Sequence, residues 1–151
     1  MRCVPDNYIT IKFKNEVKYP YGFGFISDLS QNEYRTEIYF VKYDNVRYGL
    51  SESLIIPKDK EVKIAFNSEL TSTTKFFYDY LDPNVEHIVS IDLSNFNSSL
   101  LESAESMFYG CTSLESIDLT NFNASLLTNI KNTLWLIKNY WFIRFQFFII
   151  N

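Results

Sequence analysis

The sequence predicts an α/β fold: a short solenoid of about three strand–turn–short-helix coils behind a β-rich N-terminal cap. Three observations carry this. Ser90-Ile-Asp-Leu-Ser-Asn-Phe-Asn97 returns 26 residues later as Ser116-Ile-Asp-Leu-Thr-Asn-Phe-Asn123, with one Ser-to-Thr change. The core of that stretch, Ile-x-(Leu or Phe), recurs as Ile11-Lys-Phe13, Ile38-Tyr-Phe40, Ile64-Ala-Phe66, Ile91-Asp-Leu93, Ile117-Asp-Leu119 and Ile143-Arg-Phe145, at intervals of 27, 26, 27, 26 and 26 residues. The last three copies also align Ile88, Leu114 and Tyr140 in one column and Phe96, Phe122 and Phe148 in another. A unit that repeats at fixed period buries its apolar face against the next unit.

Residues 1–60 read as a β-rich cap or as degenerate repeats. Tyr8–Lys14 alternates apolar and polar residues, the pattern of a half-buried strand. Tyr19–Phe25 leads towards a second short strand over residues 22–26, and residues 28–35 form a polar loop. Glu37–Tyr43 alternates again; Asp44-Asn45 supplies a tight turn and Val46–Gly49 returns, which makes a hairpin. Leu54–Ile56 ends in the charged turn around Pro57–Lys60, and Val62–Asn67 starts the next strand.

Residues 61–151 read as the solenoid, its last unit degenerate. In the most complete unit the strand Ile88–Leu93 meets a turn at Ser94-Asn95. Leu100, Leu101, Ala104, Met107 and Phe108 then fall at helical spacing, and Ser99 with Glu102 forms a capping-box pattern at the start of that helix. Gly110 supplies a permissive backbone at its exit. Phe76-Phe77-Tyr78 stands where Met107-Phe108-Tyr109 stands one unit later, and Leu81–Val85 reads as a local insertion.

Met107–Ser125, continued by Leu127-Thr-Asn-Ile130, resembles the 26-residue repeat of BspA-like surface proteins of the leucine-rich-repeat type. The resemblance covers about residues 88–133, is weaker over 61–87, and breaks at Leu134-Trp-Leu-Ile137. It implies a leucine-rich-repeat-like solenoid at the cell surface, engaged in adhesion or protein binding. The N-terminus carries no apolar run of a secretory signal. That leaves another export route, a cytoplasmic interaction scaffold, or a truncated repeat product as alternatives.

Composition narrows the function classes. An apolar fraction of 46% and an aromatic fraction of 18% over 151 residues exclude a disordered chain and fit strand-rich packing. The net charge of −4 is concentrated: residues 61–133 hold ten acidic side chains against Lys63, Lys75 and Lys131. No basic stripe exists to neutralise phosphates, so nucleic acid is not an expected partner. Cys3 and Cys111 make neither a disulfide framework nor a metal cluster. No triad, phosphate loop, HExxH or CxxC pattern is present, so neither an enzyme nor a cofactor is expected.

The candidate binding face is Ser90, Asp92, Ser94, Ser116, Asp118 and Thr120, small polar and acidic groups that parallel strands would turn outward to a protein or glycan. Stacked coils would bring Asp92 and Asp118 to roughly 5 Å. Two such carboxylates could share a cation, but calcium takes about six oxygens or more, so a solvated acidic ladder is the plainer reading. Asn95 and Asn121 are expected to bond turn backbone between coils, Phe96, Phe122 and Phe148 to form a core spine, and His87 to lie at a boundary. Asn97-Ser-Ser99 and Asn123-Ala-Ser125 fit the N-glycosylation acceptor pattern. The apolar tail Leu134–Ile150 contains Lys138 and Arg144, which argues against a spanning helix and for a final coil whose sticky end invites self-association.

Overall fold

The computed structural model describes residues 7–19, 38–49, 52–78 and 83–137. Among the described residues there are eight strands: β1 (Tyr8–Phe13), β2 (Val17–Tyr19), β3 (Ile38–Tyr43), β4 (Val46–Tyr48), β5 (Leu54–Ile56), β6 (Glu61–Phe66), β7 (Ile88–Asp92) and β8 (Ser116–Asp118). Six build one mixed sheet in the order β4-β3-β6-β1-β7-β8, and β2 pairs with β5 apart from it. The predicted strand at 22–26, the loop at 28–35 and the column members Tyr140, Ile143, Phe145 and Phe148 lie outside the described residues.

The α/β solenoid expectation is corrected. Among the described residues there is no α-helix, only a 3-10 turn at Pro83–His87, and most of the sheet is antiparallel. The capping box at Ser99 and Glu102 does not start a helix. The Ser99 amide donates to Asn97 Oδ1 at 3.1 Å, and the Glu102 amide donates to the Thr71 carbonyl of the preceding unit at 2.8 Å. Along the segment that follows, the amides of Ala104, Ser106, Phe108 and Gly110 donate to the carbonyls of Asn129, Lys131, Thr133 and Trp135. A helix would spend those amides within itself; here alternate amides bond the next unit, so the segment runs as linked turns. Ser106 has φ 55°, a left-handed conformation that also stops helical propagation, and Lys75 and Asn132 repeat it at φ 57° and 55° in the neighbouring units. The helical spacing of Leu100, Leu101, Ala104, Met107 and Phe108 is met instead by successive turns, which bury the last four and leave Leu100 exposed.

The first three Ile-x-Phe tripeptides do not stack as coils. β1 and β3 both run antiparallel to β6, with Ile9 opposite Ile64 and Val41 opposite Ile64. Among the described residues, only Ile91 and Ile117 of these tripeptides pair in parallel register, flanked by Ser90 with Ser116 and Asp92 with Asp118. β1 lies between β6 and β7, so the sheet runs without interruption through strands from either side of residue 60. The units meet directly at their other edge, where Ser103 bridges in parallel to Ser72 and to Asn129.

Other local readings hold. The Asp44-Asn45 turn joins β3 to β4 with both residues at positive φ, 47° and 62°, which matches the twist of a two-residue hairpin. The equivalence of residues 76–78 with 107–109 is realised as side-chain contact: the Phe77 and Phe108 rings stack at 6.0 Å and the Tyr78 and Tyr109 rings meet at 4.9 Å. Phe96 and Phe122 are buried in one core with Ile88, Ile91, Leu114 and Ile117. That core is continuous with Ile9, Ile11 and Phe13 of β1.

Candidate functional site

Alternation in β7 and β8 decides which side chains reach the surface. Ile91 and Ile117 point inward and are about 1% exposed, so Ser90, Asp92, Ser116 and Asp118 point out on the other face. Together with Thr120 they line a shallow open groove of about 450 Å³. Ser94 sits in the turn after β7, half-buried, and Thr120 is exposed at the equivalent place after β8. The structure thus brings Ser90, Asp92, Ser116, Asp118 and Thr120 to one groove and places Ser94 beside it, in the turn.

Each aspartate is fixed by the turn that follows it. The Ser94 amide donates to Asp92 Oδ1 and the Thr120 amide to Asp118 Oδ1, both at 2.8 Å. The Thr120 hydroxyl, then its amide, hold the Asp118 carboxyl below its ordinary value, against a small opposing effect of burial. Each Asp therefore has one oxygen tied to its own backbone. Two carboxylates alone offer fewer oxygens than calcium takes, and among the described residues no group of three or more His, Cys, Asp or Glu is gathered.

The other candidates have local roles. Asn121 donates through Nδ2 to the Ser94 carbonyl of the preceding unit at 3.3 Å, the expected bond between units. Asn95 donates to Ser94 Oγ at 3.1 Å, while its carbonyl accepts the Tyr8 amide, because its neighbour is β1 and not another repeat. His87 is half-buried at the edge, with Nε2 3.6 Å from Glu86 Oε1. Asn97 and Asn123 of the two acceptor patterns are exposed. Cys111 is a buried thiol whose Sγ lies 3.9 Å from the Phe77 carbonyl oxygen.

Sequence reasoning missed the residues that flank the groove on its inner side. β1 sets Thr10 opposite Asp92 and Lys12 opposite Ser90. The alternation over residues 8–13 marks Thr10 and Lys12 as polar-face residues, but nothing in the repeat announces that β1 enters the sheet at this point. Among the described residues no helix is long and apolar enough to cross a membrane. No protein-family model, curated protein or solved structure matches this chain.

Proposed function

We propose that this chain is a non-catalytic binding module of the surface-adhesion type, which takes a protein or a glycan on the β7–β8 face. The observation that supports this is the groove itself: Ser90 with Ser116 and Asp92 with Asp118 stand in register along one open wall. Small hydroxyls and a pre-positioned carboxylate oxygen accept and donate hydrogen bonds to sugar hydroxyls or to peptide amides at little ordering cost. The resemblance of residues 88–133 to BspA-like surface repeats supports a place at the cell surface.

The test is binding of the labelled full chain to immobilised glycans and to candidate surface proteins, compared with Asp92→Lys and Asp118→Lys. Loss of a specific signal in both variants supports the face as the binding surface; undiminished binding sinks it. Protease treatment of intact cells carrying a tagged chain tests the location. Cleavage from outside supports adhesion, whereas protection until lysis replaces adhesion with an internal interaction scaffold.

A further inference from the structure

The two asparagines of the Asn-x-Ser patterns hold repeat-equivalent places after β7 and β8, and the fold treats them differently. Each closes the same local turn: Asn97 Oδ1 accepts the Ser99 amide at 3.1 Å, and Asn123 Oδ1 accepts the Ser125 amide at 2.9 Å. That bond holds the side-chain carbonyl against the backbone and turns the NH2 group of the same planar amide away from it. At Asn97 the NH2 group meets a partner. Its Nδ2 donates to Glu69 Oε1, and the Asn97 backbone amide donates to Asn7 Oδ1 at 2.8 Å. Asn7 is in turn anchored on the Ser68 carbonyl at 2.8 Å. Ser98, inside the pattern, is buried, and Ser99 is half-buried. At Asn123 the equivalent positions are open. Asn123 and Ser125 are both exposed, and among the described residues neither Asn123 Nδ2 nor the Ser125 hydroxyl has a hydrogen-bond partner.

From this contrast we propose that Asn123 is a covalent N-glycan acceptor and that Asn97 is not. The co-substrate is a sugar activated on a diphosphate, and an N-glycosyltransferase is the catalyst. Asn123 Nδ2 attacks the anomeric carbon of that sugar. The new C–N bond forms as the bond from the anomeric carbon to the diphosphate oxygen breaks. The diphosphate leaves with the electron pair, and the proton lost from Nδ2 passes to a base of the transferase. No oxidant or reductant takes part.

A transferase that reads Asn-x-Ser must reach both the asparagine amide and the hydroxyl two residues on. Asn123 and Ser125 present both to solvent. At Asn97 the Glu69 carboxylate already holds the amide by a charge-assisted bond, and the Asn7 link ties the backbone to the start of β1. A sugar attached before folding meets the same difference afterwards: at Asn123 it extends into solvent, whereas at Asn97 it must displace the Glu69 contact. The proposal rests on the surface-adhesion reading for the supply of activated sugar, since this pattern is modified along a secretory route. The choice between the two asparagines belongs to the fold and is tested without a cell.

The test incubates the folded full chain with UDP-glucose and a soluble N-glycosyltransferase that acts on Asn-x-Ser. Cleavage at glutamate separates the two sites at Glu102, Glu105 and Glu115, and mass spectrometry reads the hexose on each peptide. Asn123 should be labelled about fivefold or more faster than Asn97, the effect of one charge-assisted bond discounted for its exposure. Asn123→Gln should abolish labelling after β8. Should that variant fold poorly, Ser125→Ala removes the recognised hydroxyl and keeps the amide that donates to Asn123 Oδ1. Glu69→Ala should raise labelling of Asn97 and leave that of Asn123 unchanged. Equal rates at the two sites, a reversed order, or an Asn123 that takes no sugar overturns the proposal. An Asn97 rate untouched by Glu69→Ala overturns the role given to Glu69. Labelling of Asn123 in a chain that intact cells protect from protease removes the surface reading and leaves the acceptor site standing.

Discussion

Asp92 and Asp118 face each other across the parallel β7–β8 pair, and each accepts the amide two residues further along its own chain at 2.8 Å. The two carboxylates sit in repeat-equivalent positions and perform the same local task, closing the turn that ends the strand. Their repulsion is tolerated because an amide dipole satisfies one oxygen of each.

The pH dependence of stability follows from Asp118. Its folded-state carboxyl titrates below the ordinary 3.8, so its contribution is fully present above 3.8 and is lost as the pH falls through the lowered value. Asp118→Asn keeps an oxygen to accept the Thr120 amide but cannot ionise. Thermal melts should therefore show the variant less stable than wild type near neutrality, with the gap closing below 3.8. A constant gap across that window would refute the assignment.

The contact between units is tested at Phe77 and Phe108, both fully buried with rings stacked at 6.0 Å. Phe77→Ala or Phe108→Ala should cost about 3–5 kcal/mol in denaturant unfolding, from lost burial and the cavity left behind. The double variant should cost less than the sum, since the two rings share one contact.

Ser106 separates a turn from a helix. At φ 55° a serine is strained and a glycine is not, so Ser106→Gly should be neutral or stabilise by up to ~1 kcal/mol. In a helix spanning Leu100–Phe108 the same change would cost up to ~1 kcal/mol. The sign of the shift in the denaturation midpoint decides between them.

Removal of β1 tests the sheet. Tyr8–Phe13 supplies both neighbours of its strand, pairing with β6 on one side and β7 on the other, and buries Ile9, Ile11 and Phe13 completely. A chain lacking residues 1–13 should lose cooperative unfolding and become protease-sensitive throughout. Ile11→Ala alone should cost about 2–5 kcal/mol.

The amino-acid sequence by itself determined whatever depends on neighbours in the chain or on strict repetition. Asp44-Asn45 specifies its hairpin because few other residue pairs accept two positive φ values in succession. The near-identity of residues 90–97 and 116–123 places Ile91 on Ile117 and the outward Ser and Asp rows in register, since equal units stack with equal residues aligned. It also placed five of the six candidate site residues in one groove, with Ser94 in the turn beside it.

Tertiary structure alone decided the rest. The spacing of Leu100, Leu101, Ala104, Met107 and Phe108 fits a helix, yet a run of turns also buries every one of them but Leu100. The choice fell to turns when alternate amides found carbonyls on the adjacent unit, partners no single unit contains. The position of β1 between β6 and β7 was likewise hidden, because an alternating strand states which face it buries but not which strands it joins. That one insertion sets Thr10 between Lys63 of β6 and Asp92 of β7.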